Sequence, residues 1–181
     1  MARRRLGTGL YAGVLVTVLG AVAWLSGQPF VFPSLGPSAF LLAFERRGDR
    51  GSLSRIVASH AIGGVAGLLA YTLLAYTLLA YALLGAGVTL TATPAPGSAA
   101  GLHLVASGVC SIVLTSWGMI ATDTNHAPAC ATTLIVSLGL LSTPVQVGII
   151  VASVVVLVVV HGTAVAGFRR LVEVAHPRYA G

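Results

Sequence analysis

Four stretches of this chain run long and almost free of charge: Leu6 to Leu25, Leu53 to Leu84, Leu102 to Ala121 and Val145 to Phe168. Each has at least about 20 residues, the length a helix needs to cross a hydrocarbon core about 30 Å thick. Inside a bilayer every backbone N–H and C=O must find its partner within the protein, so such stretches fold as helices. The class is therefore an all-α membrane protein. Composition agrees, with 56% of residues apolar, 8% charged and a mean hydropathy of +0.95, where a soluble domain is about one-quarter charged. Residues 1–181 are expected to form a single transmembrane domain with no separate soluble unit.

All ten basic residues are arginines, set against four acids for a formal net charge of +6. In a soluble protein that balance would point to nucleic acid. Here it sets orientation, and no nucleic-acid partner is expected. Arg3, Arg4 and Arg5 precede the first stretch, Arg46, Arg47, Arg50 and Arg55 cluster before or within the start of the second, and Arg169, Arg170 and Arg178 follow the fourth. These clusters should face the cytoplasm, which puts both termini on the inner side of the cell membrane. The first stretch, at about 20 residues, exceeds the apolar core of a secretory signal and is read as a true span. Cys110 and Cys130 form neither a disulfide framework nor a metal-ligand spacing, so no metal or cofactor is expected.

The second stretch would be about 47 Å long as one helix, so it must tilt, project or break near Gly63-Gly64. Its five-residue repeat, Tyr71 to Ala75 and Tyr76 to Ala80, matches no helical face and is read as span filling. Gly9 with Gly13, and Gly63 with Gly67, are small-residue pairs that permit close helix packing, within the chain or between protomers of a homo-oligomer.

Two shorter apolar segments lie between the long ones, Pro33 to Phe44 and Asn125 to Val136. Proline is favoured at the first helical position, so Pro37 and Pro128 are expected to start short helices after non-helical leads that hold Gly36 and His126. The two prolines are 91 positions apart, and the same offset carries Leu53 to Pro144, where the fourth stretch begins. The chain thus reads as two repeats, about 6–84 and about 102–168, each with two long transmembrane helices and one short Pro-initiated broken helix. If both short segments dip in and return to the same face, the arginines split six inside and four outside; if each crosses, all ten lie on one side, with uncharged loops at Gly85 to Ala100 and Ser142 to Thr143 on the other, and the charge rule favours the crossing arrangement. Three crossings per half give the repeats inverted topology, a transporter design with its site where broken helices meet near the midplane.

In that arrangement both short helices point their positive ends at the middle, and their unpaired N–H groups call for a polar partner. A small anion fits, held by neutral donors without a buried cation. The candidate binding residues are Gly36, Ser38 and the N–H groups of Ala39 and Phe40 on one side. Asn125, His126 and the N–H groups of Ala129 and Cys130 make up the other. His126 is the first candidate for proton coupling and Asp123 the second. Blander roles stand beside these: Ser38 as a helix cap, His126 as a hydrogen-bonded packing residue, and Pro37 and Pro128 as ordinary turns. His60, His103 and His161 have no counterparts at the 91-residue offset and read mainly as packing residues, with His60 and His161 as pathway candidates. Cys130 near His126 lacks an orienting group, so no enzyme is expected.

At His126-Ala127-Pro128-Ala129-Cys130-Ala131-Thr132, together with Pro33 to Leu42, the chain resembles the HPP family of integral membrane proteins along nearly its whole length. That family is named for a His-Pro-Pro motif, and members in cyanobacteria and plastids are associated with nitrite transport. Here Ala127 takes the middle position and Cys130 stands where a small residue, often glycine, is usual. The resemblance implies a membrane transporter or channel with nitrite as the leading substrate. The alternatives are a channel for water or a small neutral solute, and a non-transporting scaffold or sensor module.

Overall fold

The computed structural model describes residues 2–45, 50–76 and 94–175. Among them the chain is all helix and connecting turn: α1 (Ala2–Ser26), α2 (Leu35–Glu45), α3 (Arg50–Ala70), α4 (Ala99–Ala121), α5 (Pro128–Ser137) and α6 (Pro144–Ala175), with a π-helical turn over Tyr71–Tyr76 continuing α3. Four helical segments are long and apolar enough to cross a membrane: Arg5–Ser26, Gly51–Leu74, Ala99–Ala121 and Pro144–Val172. Positions 77–93 lie outside the described residues. They hold the end of the second apolar stretch, most of its second repeat copy and most of the loop expected at 85–100. Arg46, Arg47 and Arg178 also lie outside them.

The helix ends follow local chemistry. α1 stops at Gly27, whose positive φ of 65° suits glycine and whose N–H returns to the carbonyl of Ala23. α4 opens on Ser98, whose Oγ accepts from the N–H of Gly101. α6 opens on a capping box: Thr143 Oγ1 accepts from the N–H of Gln146, while Gln146 Oε1 accepts from the N–H of Thr143. Pro144 at the first helical position loses no hydrogen bond.

α2 and α5, at 11 and 10 residues, are each about 15 Å long, half of what a bilayer crossing requires. α5 begins at Pro128 as expected from the sequence. α2 begins at Leu35, two residues ahead of Pro37, because the first four N–H groups of a helix are unpaired and proline is tolerated anywhere in that turn.

Contacts between helices give their directions. α3 runs antiparallel to α6, with Leu53 against Gly162 and Val147 against Gly64, and parallel to α5, with Ala129 against Gly63 and Thr133 against Gly67. α4 runs against α5, since Ser107 bonds to Ser137 and Thr115 to Thr133. α2 and α5 oppose each other, with Ser34 meeting Thr132 and Ser38 meeting His126. The start of α1 lies beside the later part of α6, where Tyr11 bonds to His161. Arg5, Arg55, Arg169 and Arg170 consequently share one end of the bundle.

The core is assembled around α6, whose Val147, Ile150, Val154, Leu157 and Val158 form a buried stripe at helical spacing. Leu15 and Leu19 of α1, Leu35, Ala39 and Leu42 of α2, and Leu53 and Ile56 of α3 close on it. Outward faces are apolar as well: Leu102, Val105, Val109, Val113, Trp117 and Ile120 of α4 are all exposed. An apolar exterior over an interior rich in hydroxyls and imidazoles is the distribution a lipid-facing bundle requires.

α3 stays helical through Gly63-Gly64, so of the three expected ways to fit its length the break at these glycines is not used. A Cβ at Gly63 would sit 2.7 Å from the carbonyl oxygen of Ala129, and one at Gly67 would sit 2.7 Å from that of Thr133. These glycines let the backbone of α5 lie directly on α3. Gly9 and Gly13 have nothing within 4 Å of an added Cβ, so among the described residues only the second small-residue pair packs against another helix.

Candidate functional site

α2 fills the half of the bundle at the arginine-bearing end and α5 fills the other half. Their first turns overlap beside His60, in the body of α3. The lead into α5 is held from both sides. Asp123, in the left-handed region at φ 52°, turns the chain out of α4 and pairs with Arg55 at 3.2 Å. The Ser59 hydroxyl donates to the carbonyl of Thr124, and the Thr124 N–H donates to the carbonyl of Met119. This anchoring sets His126 against α2.

A chain of side-chain hydrogen bonds results. Ser38 Oγ lies 3.0 Å from His126 Nε2, 3.1 Å from His60 Nε2 and 3.1 Å from the Ser34 carbonyl oxygen, which also accepts from the Ser38 N–H. His60 Nδ1 lies 2.7 Å from Thr132 Oγ1, which lies 2.7 Å from Ser34 Oγ. The two imidazoles are tilted at 59° with centroids 5.3 Å apart. Ser34, Ser38, His60 and Thr132 are fully buried, and His126 is 8% exposed. Buried polar groups of this kind persist only when bonded.

On the side toward the arginine-bearing end a cavity of about 300 Å³ adjoins this cluster, with polar lining from Glu45, Ser52, Arg55, Asn125 and His126. His126 belongs to both the cavity and the buried chain. Among the described residues no three His, Cys, Asp or Glu side chains group as metal ligands.

The residues singled out from sequence divide in three. Ser38 and His126 meet directly, and Asn125 lines the cavity. Ala39 and Ala129 are fully buried, and Cys130 is half-buried. Gly36 and Phe40 face outward, with Phe40 stacked on Phe44. Asp123 is exposed in its ion pair. The backbone donors are already committed: the N–H groups of Ala129 and Cys130 bond to the carbonyls of His126 and Ala127, and those of Ala39 and Phe40 lie inside α2. Side chains are therefore what the junction presents. Sequence reasoning missed Ser34 and Thr132 and gave His60 only a minor role. An ionisable residue within a span is itself a functional signal, and that signal was available at His60.

The chain matches no protein-family model, no curated protein and no solved structure.

Proposed function

We propose that the chain is a multi-pass cell-membrane protein of two inverted halves, α1–α3 and α4–α6, that moves a small monovalent anion. Nitrite is the leading substrate through the HPP-family resemblance. The observation that carries this reading is the Ser38–His126 hydrogen bond, which joins the starts of two opposed short helices at the edge of a polar cavity. Opposed helix starts concentrate positive potential, and Arg55 at the cavity draws anions toward it. The arginines gathered at one end support a cytoplasmic assignment for that end. Ser38, Asn125 and His126 form the binding surface, and the buried Ala39 and Ala129 support it through packing.

Nitrite uptake into proteoliposomes tests this. Wild-type chain gives saturable uptake, and both His126→Ala and Pro128→Leu reduce it strongly. Uptake indifferent to both substitutions overturns the assigned site. The lack of a fixed charge inside the cluster favours one second reading, a pore for a small neutral solute. Flux that carries no charge and ignores competing anions would select it.

A further inference from the structure

Proton counting at the junction goes beyond binding. Ser38 Oγ has one hydrogen and three polar neighbours: the Ser34 carbonyl, His60 Nε2 and His126 Nε2. The hydrogen positions follow from satisfying every partner. One complete arrangement runs from Ser34 O–H to Thr132 Oγ1, from Thr132 O–H to His60 Nδ1, from His60 Nε2–H to Ser38 Oγ, and from Ser38 O–H to His126 Nε2. A second runs the opposite way through the same contacts. His126 Nδ1 has no partner among the described residues, although the ring is 8% exposed and lines the cavity. The far end, Ser34, closes the segment between α1 and α2, directly after exposed Pro33.

We infer that Ser34, Thr132, His60 and Ser38 form a proton relay ending on His126, so that proton and anion are loaded together at the cavity. The inference rests on the proposed anion site. The transfer balances as follows. A proton arriving at Ser34 Oγ displaces the Ser34 hydrogen to Thr132, the Thr132 hydrogen to His60 Nδ1, the His60 Nε2 hydrogen to Ser38 and the Ser38 hydrogen to His126 Nε2. Each intermediate group ends with the number of protons it began with, His60 has changed tautomer, and His126 has become an imidazolium. Its Nδ1–H then faces the cavity as a charged donor, so the substrate class is a small anion that accepts a hydrogen bond.

The surrounding charges leave this chain intact. Glu45 on α2 and Arg55 on α3 lie at the cavity, with Arg55 held by Asp123 beyond α4. Cys130 is the titratable group of α5, and α6 brings His161, bonded to Tyr11 of α1. None of these stands between two members of the relay.

The experiment loads proteoliposomes with a pH-sensitive dye, imposes an inside-negative potassium diffusion potential and records proton uptake with and without nitrite, protein-free vesicles being subtracted. Wild-type chain takes up protons. Thr132→Val and His60→Gln lower the rate about tenfold or more, while Thr115→Val, which removes an equally buried hydroxyl from the α4–α5 seam, leaves it unchanged. Equal losses in Thr132→Val and Thr115→Val would mean a structural hydroxyl and overturn the relay. Wild-type nitrite flux without proton movement would overturn the relay and leave the site standing. Proton uptake that nitrite neither changes nor accompanies would keep the relay and remove the anion reading. A wild-type chain that moves neither ends both.

Discussion

Two seams of buried hydroxyls run along opposite faces of α5, and they behave differently. Facing α4, Ser107, Ser111, Thr115 and Thr133 each close a local bond: Ser107 to the Ser137 carbonyl at 2.8 Å, Ser111 to the Gly108 carbonyl at 2.8 Å, and Thr115 to Thr133 at 2.9 Å. Facing α2 and α3, Ser34, Thr132, His60, Ser38 and His126 bond side chain to side chain in sequence and end at a cavity. Burial is complete in the first seam and nearly so in the second, so burial alone does not separate packing from function. The difference lies in termination. The α4 seam ends on backbone carbonyls at Ser107 and Ser111 and on one isolated hydroxyl pair at Thr115 and Thr133, with no group that titrates near neutral pH, whereas the other contains two imidazoles and ends on one whose Nδ1 has no partner among the described residues. Hydroxyls of the first kind hold helices together in lipid; a chain of the second kind can also change state.

The comparison breaks most visibly at His126. Replacing it with alanine removes the hydrogen bond that joins the two short helices, and nitrite flux per reconstituted protein is expected to fall at least about tenfold. Unchanged flux would make the α2–α3 seam equivalent to its neighbour. The next largest effect falls on stability. Gly67→Ala places a methyl against the backbone of α5, which forces α3 and α5 apart and costs about 1–3 kcal/mol. Thermal unfolding in detergent reads it, and a neutral result would mean the two helices separate freely. Ser107→Ala removes a single interhelical bond of the α4 seam, costs about 0.6 kcal/mol and leaves flux intact. A loss of flux there would erase the distinction between seams. The smallest change comes from Arg55→Gln: its ion pair with Asp123 is exposed, so stability moves by less than about 1 kcal/mol. Nitrite entry slows most at low ionic strength, where steering acts. Salt-independent kinetics in the variant and parent alike would remove Arg55 from the entry path.

The long helices were legible because uninterrupted apolar length is a local property, and α5 was legible because Pro128 marks its start. The meeting of Ser38 with His126 followed from arginine placement and the direction each short helix must take. His60 was not legible in the same way. Matching the two halves at a 91-residue offset sets it against Val151, and its importance arises only when α2 and α5 both arrive at its ring. Ser34 and Thr132 join for the same long-range reason. The expected backbone donors failed on a local detail: Ala127 is helical at φ −50° and ψ −38°, so the first turn of α5 closes on the carbonyls of His126 and Ala127. Gly63-Gly64 reads as a weak point in isolation and becomes a packing surface once another backbone lies on it.

Nitrogen-15 spectroscopy of the His126 ring in lipid nanodiscs reads whether the anion is received there. Titration with nitrite should shift the His126 ring resonances saturably, shift those of His60 less through Ser38, and leave His161 unchanged in its bond to Tyr11. A His126 signal that stays fixed, or three histidines moving together, would contradict the account.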